Sequence, residues 1–173
     1  MAAFTAAEVE ALLPRLRRFA RALTGSREAA DDLTQDTLER AWAKRELWQT
    51  GTNLRAWLFA VMHNVFVNGA RRVRPTESLD AMAETGGERA DDGVAAESAL
   101  AMRQLREALL RLPDDQRQVV LLVGLEQLSY AEAAEVLGVP IGTVMSRLSR
   151  GRERLRQLLD GETPDRQGLR RVK

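Results

Sequence analysis

The chain has no cysteine among its 173 residues, only one histidine (His63) and only one tyrosine. Without cysteine there are no disulfides, thiolate metal sites or thiol nucleophiles, and the chain suits a reducing compartment. A lone histidine cannot build a two-histidine metal site within one chain, so neither a metal nor another cofactor is expected. No apolar run approaches the roughly 18 residues a membrane span needs. The N-terminal MAAFTAAEVEALL lacks a basic segment followed by a long apolar stretch, so the chain is expected to be neither membrane-spanning nor secreted. Glycine and proline are too scarce for wholesale disorder. A hydrophobic fraction of 45% beside 29% charged residues is an ordinary globular balance.

The formal net charge of +1 conceals segregation. Residues 11–27 are basic through Arg15, Arg17, Arg18, Arg21 and Arg27. Residues 28–39 carry Glu28, Asp31, Asp32, Asp36 and Glu39 with no basic residue among them. Residues 50–76 contain no acid, only Arg55, Arg71, Arg72 and Arg74; 77–97 turn acidic again, and 147–156 hold five arginines against Glu153 alone. Blocks of opposite sign imply separate surfaces for separate partners.

The apolar pattern is helical nearly throughout. Leu12, Leu16, Phe19 and Leu23 share one face of a first helix, with Thr5 and Glu8 as a capping box and Gly25 as its stop. Ser26 caps a second helix carrying Leu33, Leu38 and Trp42. A third runs from about 54 to 72 behind a Gly51–Thr52–Asn53 turn, burying Leu58, Val61, Met62 and Val65, with Pro75 marking its end. Residues 76–97 lose the periodicity, are acidic and contain Gly86, Gly87 and Gly93. They read as a flexible linker able to span roughly 70 Å when extended. A second helical unit follows: a helix over 99–112, another opened by Pro113 and Asp114, a short one capped by Ser129 and Glu132 and ended by Gly138, and a last one from 141 to about 159. The fold class is therefore all-α: two small helical domains at 1–75 and 98–160, a linker at 76–97 and a basic tail at 161–173.

Residues 129–159 carry the strongest motif, SYAEAAEVLGVPIGTVMSRLSRGRERLRQLL. A short helix, a glycine turn and a second helix form the layout that places a helix in the DNA major groove. Val144, Leu148, Gly151 and Leu155 recur on a core-facing stripe. Thr143, Ser146, Arg147, Arg150 and Arg154 fall on the opposite face, where arginine can pair with phosphate or guanine. Thr143, Ser146, Arg147 and Arg150 are assigned base or near-base contact; Arg152, Arg154 and Arg156 suit phosphate or solvent. The alternative is a solvated basic face on a structural helix pair.

LPDDQRQVVLLVGLEQLSYAEAAEVLGVPIGTVMSRLSRGRERLRQLL resembles domain four of the extracytoplasmic-function (group 4) sigma factors of bacterial RNA polymerase. REAADDLTQDTLERAWAKRELW resembles their polymerase-binding segment, and GTNLRAWLFAVMHNVFVNGARR the segment that melts and reads the −10 element. The resemblance spans roughly residues 10–75 and 97–160 in the family's order. It implies a subunit that binds core RNA polymerase and directs promoter recognition and transcription initiation. It further implies a non-enzymatic, cytoplasmic protein acting in a stress or environmental response under an anti-sigma factor.

By position, the resemblance assigns Asp32, Leu33, Gln35, Asp36 and Trp42 to polymerase docking. Arg55, Trp57, Asn64, Asn68, Arg71 and Arg72 go to the melted −10 strand, with Asn64 near a flipped base. Thr143, Ser146, Arg147, Arg150 and Arg154 go to the −35 duplex. Core packing remains open for Trp42 and Trp57, and a solvated face for Asp32 and Asp36. Met145 stands where the family often carries a basic residue, and Ser149 where it can carry a larger one. Two rivals remain: a helix-turn-helix regulator that ignores polymerase, and a sigma-like mimic that sequesters an anti-sigma factor.

Overall fold

The computed structural model describes residues 4–72 and 93–161, and among them all regular structure is helical. α1 (Ala6–Thr24), α2 (Arg27–Ala43) and α3 (Leu54–Arg72) form the N-terminal module, with a single 3-10 turn at Arg45–Leu47. The C-terminal module comprises α4 (Gly93–Leu110), α5 (Asp114–Val120), α6 (Tyr130–Leu137) and α7 (Ile141–Leu159). None of the described helices is long and apolar enough to cross a membrane.

The helix boundaries follow local chemistry. Thr5 and Glu8 form the reciprocal capping box, and α1 ends where Gly25 adopts φ +75°, a left-handed conformation that a β-carbon disfavours. Ser26 Oγ accepts from the Ala29 N–H and Asn53 Oδ1 from the Ala56 N–H, so α2 and α3 each start on a side-chain cap. The second helix-opening box, Ser129 with Glu132, is present as the spacing predicts, and Gly138 closes α6 at φ +63°. Two features depart from the sequence reading. α4 begins at Gly93 rather than near 99, so residues 93–97 of the expected linker are helical; Ala95, Ala96 and Glu97 are good helix formers that favour this extension. After Val120 the helix widens into one π turn, Leu121–Leu125, closed by the Glu126 N–H on the Leu121 carbonyl at 3.0 Å. Residues 76–92 of the linker, Pro75 and the tail beyond 161 lie outside the described residues.

Leu16, Phe19, Ala20 and Leu23 of α1 pack on Leu33 and Ala41 of α2 and on Leu58, Phe59, Met62 and Val65 of α3. Phe59 rather than Val61 fills the centre, its ring 5.0 Å from that of Phe19 in an edge-to-face pair. Phe4 is buried and packs against Trp42, Trp48 and Trp57, with ring centroids 5.7, 5.9 and 5.5 Å away. In the C-terminal module Val119, Leu122, Val136, Val144 and Leu148 form the core. α7 approaches α5 closely because Gly151 has no side chain; a β-carbon there would meet Val120 Cγ2 at 2.8 Å.

The two modules are docked on one another through apolar and polar contacts: Leu110 of α4 packs against Gly25, where a β-carbon would meet its Cδ1 at 2.5 Å, and the buried apolar side chains of both modules form one cluster. The Glu126 carboxylate is 0% exposed. Arg18 Nη2 donates to its Oε1 at 2.9 Å, and Arg15 Nε lies 3.5 Å from Oε2, close enough for charge pairing without a hydrogen bond. Arg55 Nη1 donates to the Glu126 carbonyl at 3.3 Å. Asn53 Nδ2 donates to Glu132 Oε1 at 2.6 Å, and His63 Nδ1 lies 2.6 Å from Gln118 Oε1, a hydrogen bond in the Nδ1-protonated tautomer.

Removing Arg18 leaves a buried carboxylate with one incomplete partner, a loss of about 1–3 kcal/mol for the docked state. Arg18→Ala is therefore expected to separate the modules and raise the radius of gyration in small-angle X-ray scattering. Arg18→Ala/Glu126→Ala is expected to recover part of the compactness, and equal radii for all three chains would contradict this role.

Candidate nucleic-acid interface

α6, the Gly138 turn and α7 form the helix-turn-helix. Val144 and Leu148 are buried, as is Gly151, while Leu155 is half-buried, which directs the opposite face of α7 outward. Ser146, Arg150 and Arg154 are exposed and Thr143 is partly so. Arg150 lies back along the helix, its Nε donating to the Ser146 carbonyl at 3.3 Å. Ser146 Oγ donates to the Thr143 carbonyl at 3.1 Å. Arg147 differs from the rest: its Nε is 3.2 Å from Asp115 Oδ2, and its side chain is only 26% exposed. It ties α7 to the first turn of α5, a restraint on helix position that takes it off the open face. Glu153 pairs with Arg156, so Arg156 is partly neutralised. Exposed apolar side chains at Ile141 and Met145 sit beside these polar ones.

The start of α6 is electrostatically set. The Ser129 N–H above all, with the Ser129 hydroxyl, Asn53 and the nearby Arg55 adding to it, holds the Glu132 carboxyl below the usual carboxylate range. Its charged form is thus favoured by folding, and the stabilisation is complete above the unfolded-state pKa near 4.5 and is lost as pH falls through the lower folded value.

In the N-terminal module, Asn64 and Asn68 are exposed on α3, two positions one turn apart that remain open. The structure does not set Trp57 on that open face: it is half-buried, its ring 5.5 Å from Phe4, because the buried phenyl of Phe4 draws three tryptophans together. Arg55 is half-buried and engaged with Glu126. The side chains of Arg71 and Arg72, at the end of α3, lie outside the described residues.

α2 presents Asp32, Gln35 and Asp36 to solvent, together with Glu28, Asp31 and Glu39. Leu33 is 7% exposed and points into the core, so it anchors the helix and is not available to a partner. Trp42 does both things left open for it: it packs edge-to-face on Phe4, yet keeps 46% exposure with the Arg45 guanidinium 6.0 Å from its ring centre. Leu47, which the apolar periodicity does not flag because it falls in the 3-10 turn, is 71% exposed beside it. Among the described residues no group of three or more His, Asp or Glu is placed to hold a metal.

Comparison with known proteins agrees with this layout. Residues 9–63 match the family model described as the Sigma2 domain of PhyR, and residues 102–155 match Sigma-70, region 4. The chain is 41% identical to the ECF RNA polymerase sigma factor EcfG of Rhodopseudomonas palustris (strain TIE-1), over 88% of this chain and 83% of that protein. It is 32% identical to the ECF RNA polymerase sigma factor SigW of Bacillus subtilis (strain 168), over 79% of each. Among solved structures, the sigma factor RpoE bound to the anti-sigma factor NepR from Bartonella quintana matches with a TM-score of 0.70 and 35% identity, covering 88% of this chain and 94% of that one.

Glu132→Gln is expected to lower stability in chemical denaturation at pH 7. The gap from the parent chain should narrow as pH falls below about 4.5. A gap independent of pH would remove the charge of Glu132 as its cause.

Proposed function

The chain belongs to the extracytoplasmic-function sigma factors of RNA polymerase, and from that membership we propose how its two modules divide the work of promoter recognition. Residues 1–75 act as sigma domain 2, docking on core RNA polymerase and taking the melted −10 element. Residues 93–160 act as sigma domain 4, with α7 in the −35 major groove, and 76–92 tether the two. One DNA turn is about 34 Å, which a linker of that length can bridge. The protein works by binding and strand capture, performs no catalysis of its own, and acts in the cytoplasm, where its template is.

The observation that carries this reading is the pairing of two chemically opposite outward faces in one chain. α2 offers an acidic face, with Asp32, Asp36 and Gln35, and carries the exposed Trp42 near its C-terminal end, with the exposed Leu47 in the 3-10 turn that follows. Such a face suits a basic protein helix with an apolar seam. α7 offers Ser146, Arg150 and Arg154, which suit duplex DNA. A polymerase-independent regulator has no use for the first face.

On α3 the open Asn64 and Asn68 amides are the −10 contacts, joined by Arg71 and Arg72. Arg55 joins them once it is released from Glu126, while Trp57 shapes the site from within. Capturing unpaired bases offsets part of the cost of melting, a few kcal/mol. An anti-sigma factor, as in the RpoE–NepR complex, is the expected regulator, in a stress or environmental response.

One further reading has a specific observation behind it, because PhyR, whose sigma2 model matches residues 9–63, is an anti-anti-sigma factor in its Bartonella quintana complex with the anti-sigma factor NepR. Its solved complex with NepR is only 20% identical to this chain and supports the fold alone, whereas the sigma factor EcfG stands at 41%. Transcription in vitro with core polymerase separates the two: a sigma factor yields promoter-specific transcripts, and a mimic yields none.

Two substitutions test the division of labour. Arg150→Ala is expected to cost about 1–3 kcal/mol on the preferred −35 duplex and to relax preference at one position; an equal loss on every sequence would make Arg150 a phosphate contact. Asn64→Ala is expected to leave closed-complex formation intact while reducing permanganate reactivity of unpaired thymines around −10. Unchanged reactivity would remove Asn64 from the strand-capture site.

A further inference from the structure

α7 meets solvent along positions spaced by four: Ile141, Met145 and Ser149. Ile141 is 49% and Met145 52% exposed, and neither belongs to the hydrophobic core. Scattered exposed apolar residues need no explanation. These two differ because they lie one turn apart at the N-terminal end of a reading helix, the part that reaches base edges. The nearest arginines each have a polar partner within the chain. Arg147 is held by Asp115 at 3.2 Å, and the Arg150 guanidinium lies along the helix toward Ser146. Tyr130 and Ser149 border the same open depression as Met145, whose far side is lined by Arg152, Glu153 and Arg156. The N-terminal end of α7 therefore exposes two apolar side chains beside small hydroxyls, with the charged side chains further along the helix.

In the major groove only one base edge offers an apolar group, the C5-methyl of thymine. The other edges present hydrogen-bond donors and acceptors that a thioether leaves unpaired, which disfavours them. Methionine is unbranched, flexible and polarisable, and adapts its contact to such a methyl group.

We propose that Met145 is a specificity-determining residue that reads the C5-methyl of one thymine in the −35 element, with Ile141 extending the apolar contact. The proposal rests on the reading of α7 as the −35 helix.

The test uses holoenzyme assembled from the full chain and core polymerase. Preferred duplexes are first selected from a promoter library randomised across the upstream element. Each thymine in the selected element is then replaced singly by deoxyuridine, which lacks only the methyl group. At one position the replacement is expected to weaken binding about fourfold, the size expected for one buried methyl. Met145→Ala is expected to abolish that difference at that position and no other. Met145→Leu is expected to keep it. Because Met145 is exposed, its variants should melt at the parent temperature, which separates a reading defect from misfolding. Equal binding of thymine and uracil duplexes at every position overturns the proposal, as does a penalty that persists in Met145→Ala or a selected element without thymine. Failure of the underlying reading looks different: the chain would not associate with core polymerase, or no upstream sequence would be enriched.

Discussion

A carboxylate removed from water inside a protein has to be answered by positive charge, and Glu126 sets that requirement here. Its side chain is fully buried at the end of the π turn, where Arg18 and Arg15 of α1 reach it and Arg55 of α3 takes its carbonyl. The rest of the docked arrangement follows. α1 and α3 can satisfy Glu126 only when the C-terminal module lies against them, and that placement also brings Asn53 to Glu132 and His63 to Gln118. Because Arg15 and Arg18 remain 38% and 51% exposed, they keep much of their hydration while serving the buried partner. That lowers the desolvation cost that usually offsets a buried ion pair. These polar contacts contrast with the apolar ones that also join the modules, since buried side chains of both belong to one cluster and Leu110 lies against Gly25.

This contrast has a functional logic. A protein that must hold two DNA elements at separate points needs modules that are stable on their own terms and joined weakly enough to part. Apolar packing such as Phe19 on Phe59, or Val144 beneath α7, supplies the first property. At the module boundary, hydrogen bonds and ion pairs favour the second, since water can replace each of them when the modules move apart, while the apolar contact of Leu110 with Gly25 opposes it. Arg55 sits at the meeting of the two roles, a residue of the proposed strand-binding site whose guanidinium is engaged by the neighbouring module.

Local chemistry was legible in the sequence. The boxes at Thr5–Glu8 and Ser129–Glu132, the caps at Ser26 and Asn53 and the glycine stops at Gly25 and Gly138 each depend on residues within a few positions, and all appear in the structure. The core stripe of α7 was equally readable, because a period of 3.6 exposes one face and buries the other. What escaped depends on distant residues. Leu33 looked available to a partner, yet its side of α2 is closed by α1 and α3. Arg147 looked free, yet Asp115 lies more than thirty positions earlier in the chain. The Phe4 cluster joins tryptophans from three separate segments, and no spacing rule connects them. The π turn leaves almost no local signature, since Leu121–Leu125 reads as ordinary apolar helix.

The missing side chain at Gly151 makes α7 a lever. The point where it rests on Val120 lies ten residues from Ile141, about 15 Å along the axis at 1.5 Å per residue. A wedge as small as one methyl group at that pivot, tipping the rod by about 4°, would swing its far end by about 1 Å. That is comparable with the whole tolerance of a hydrogen bond. Evolution can therefore retune which bases the tip meets without altering any residue that touches DNA.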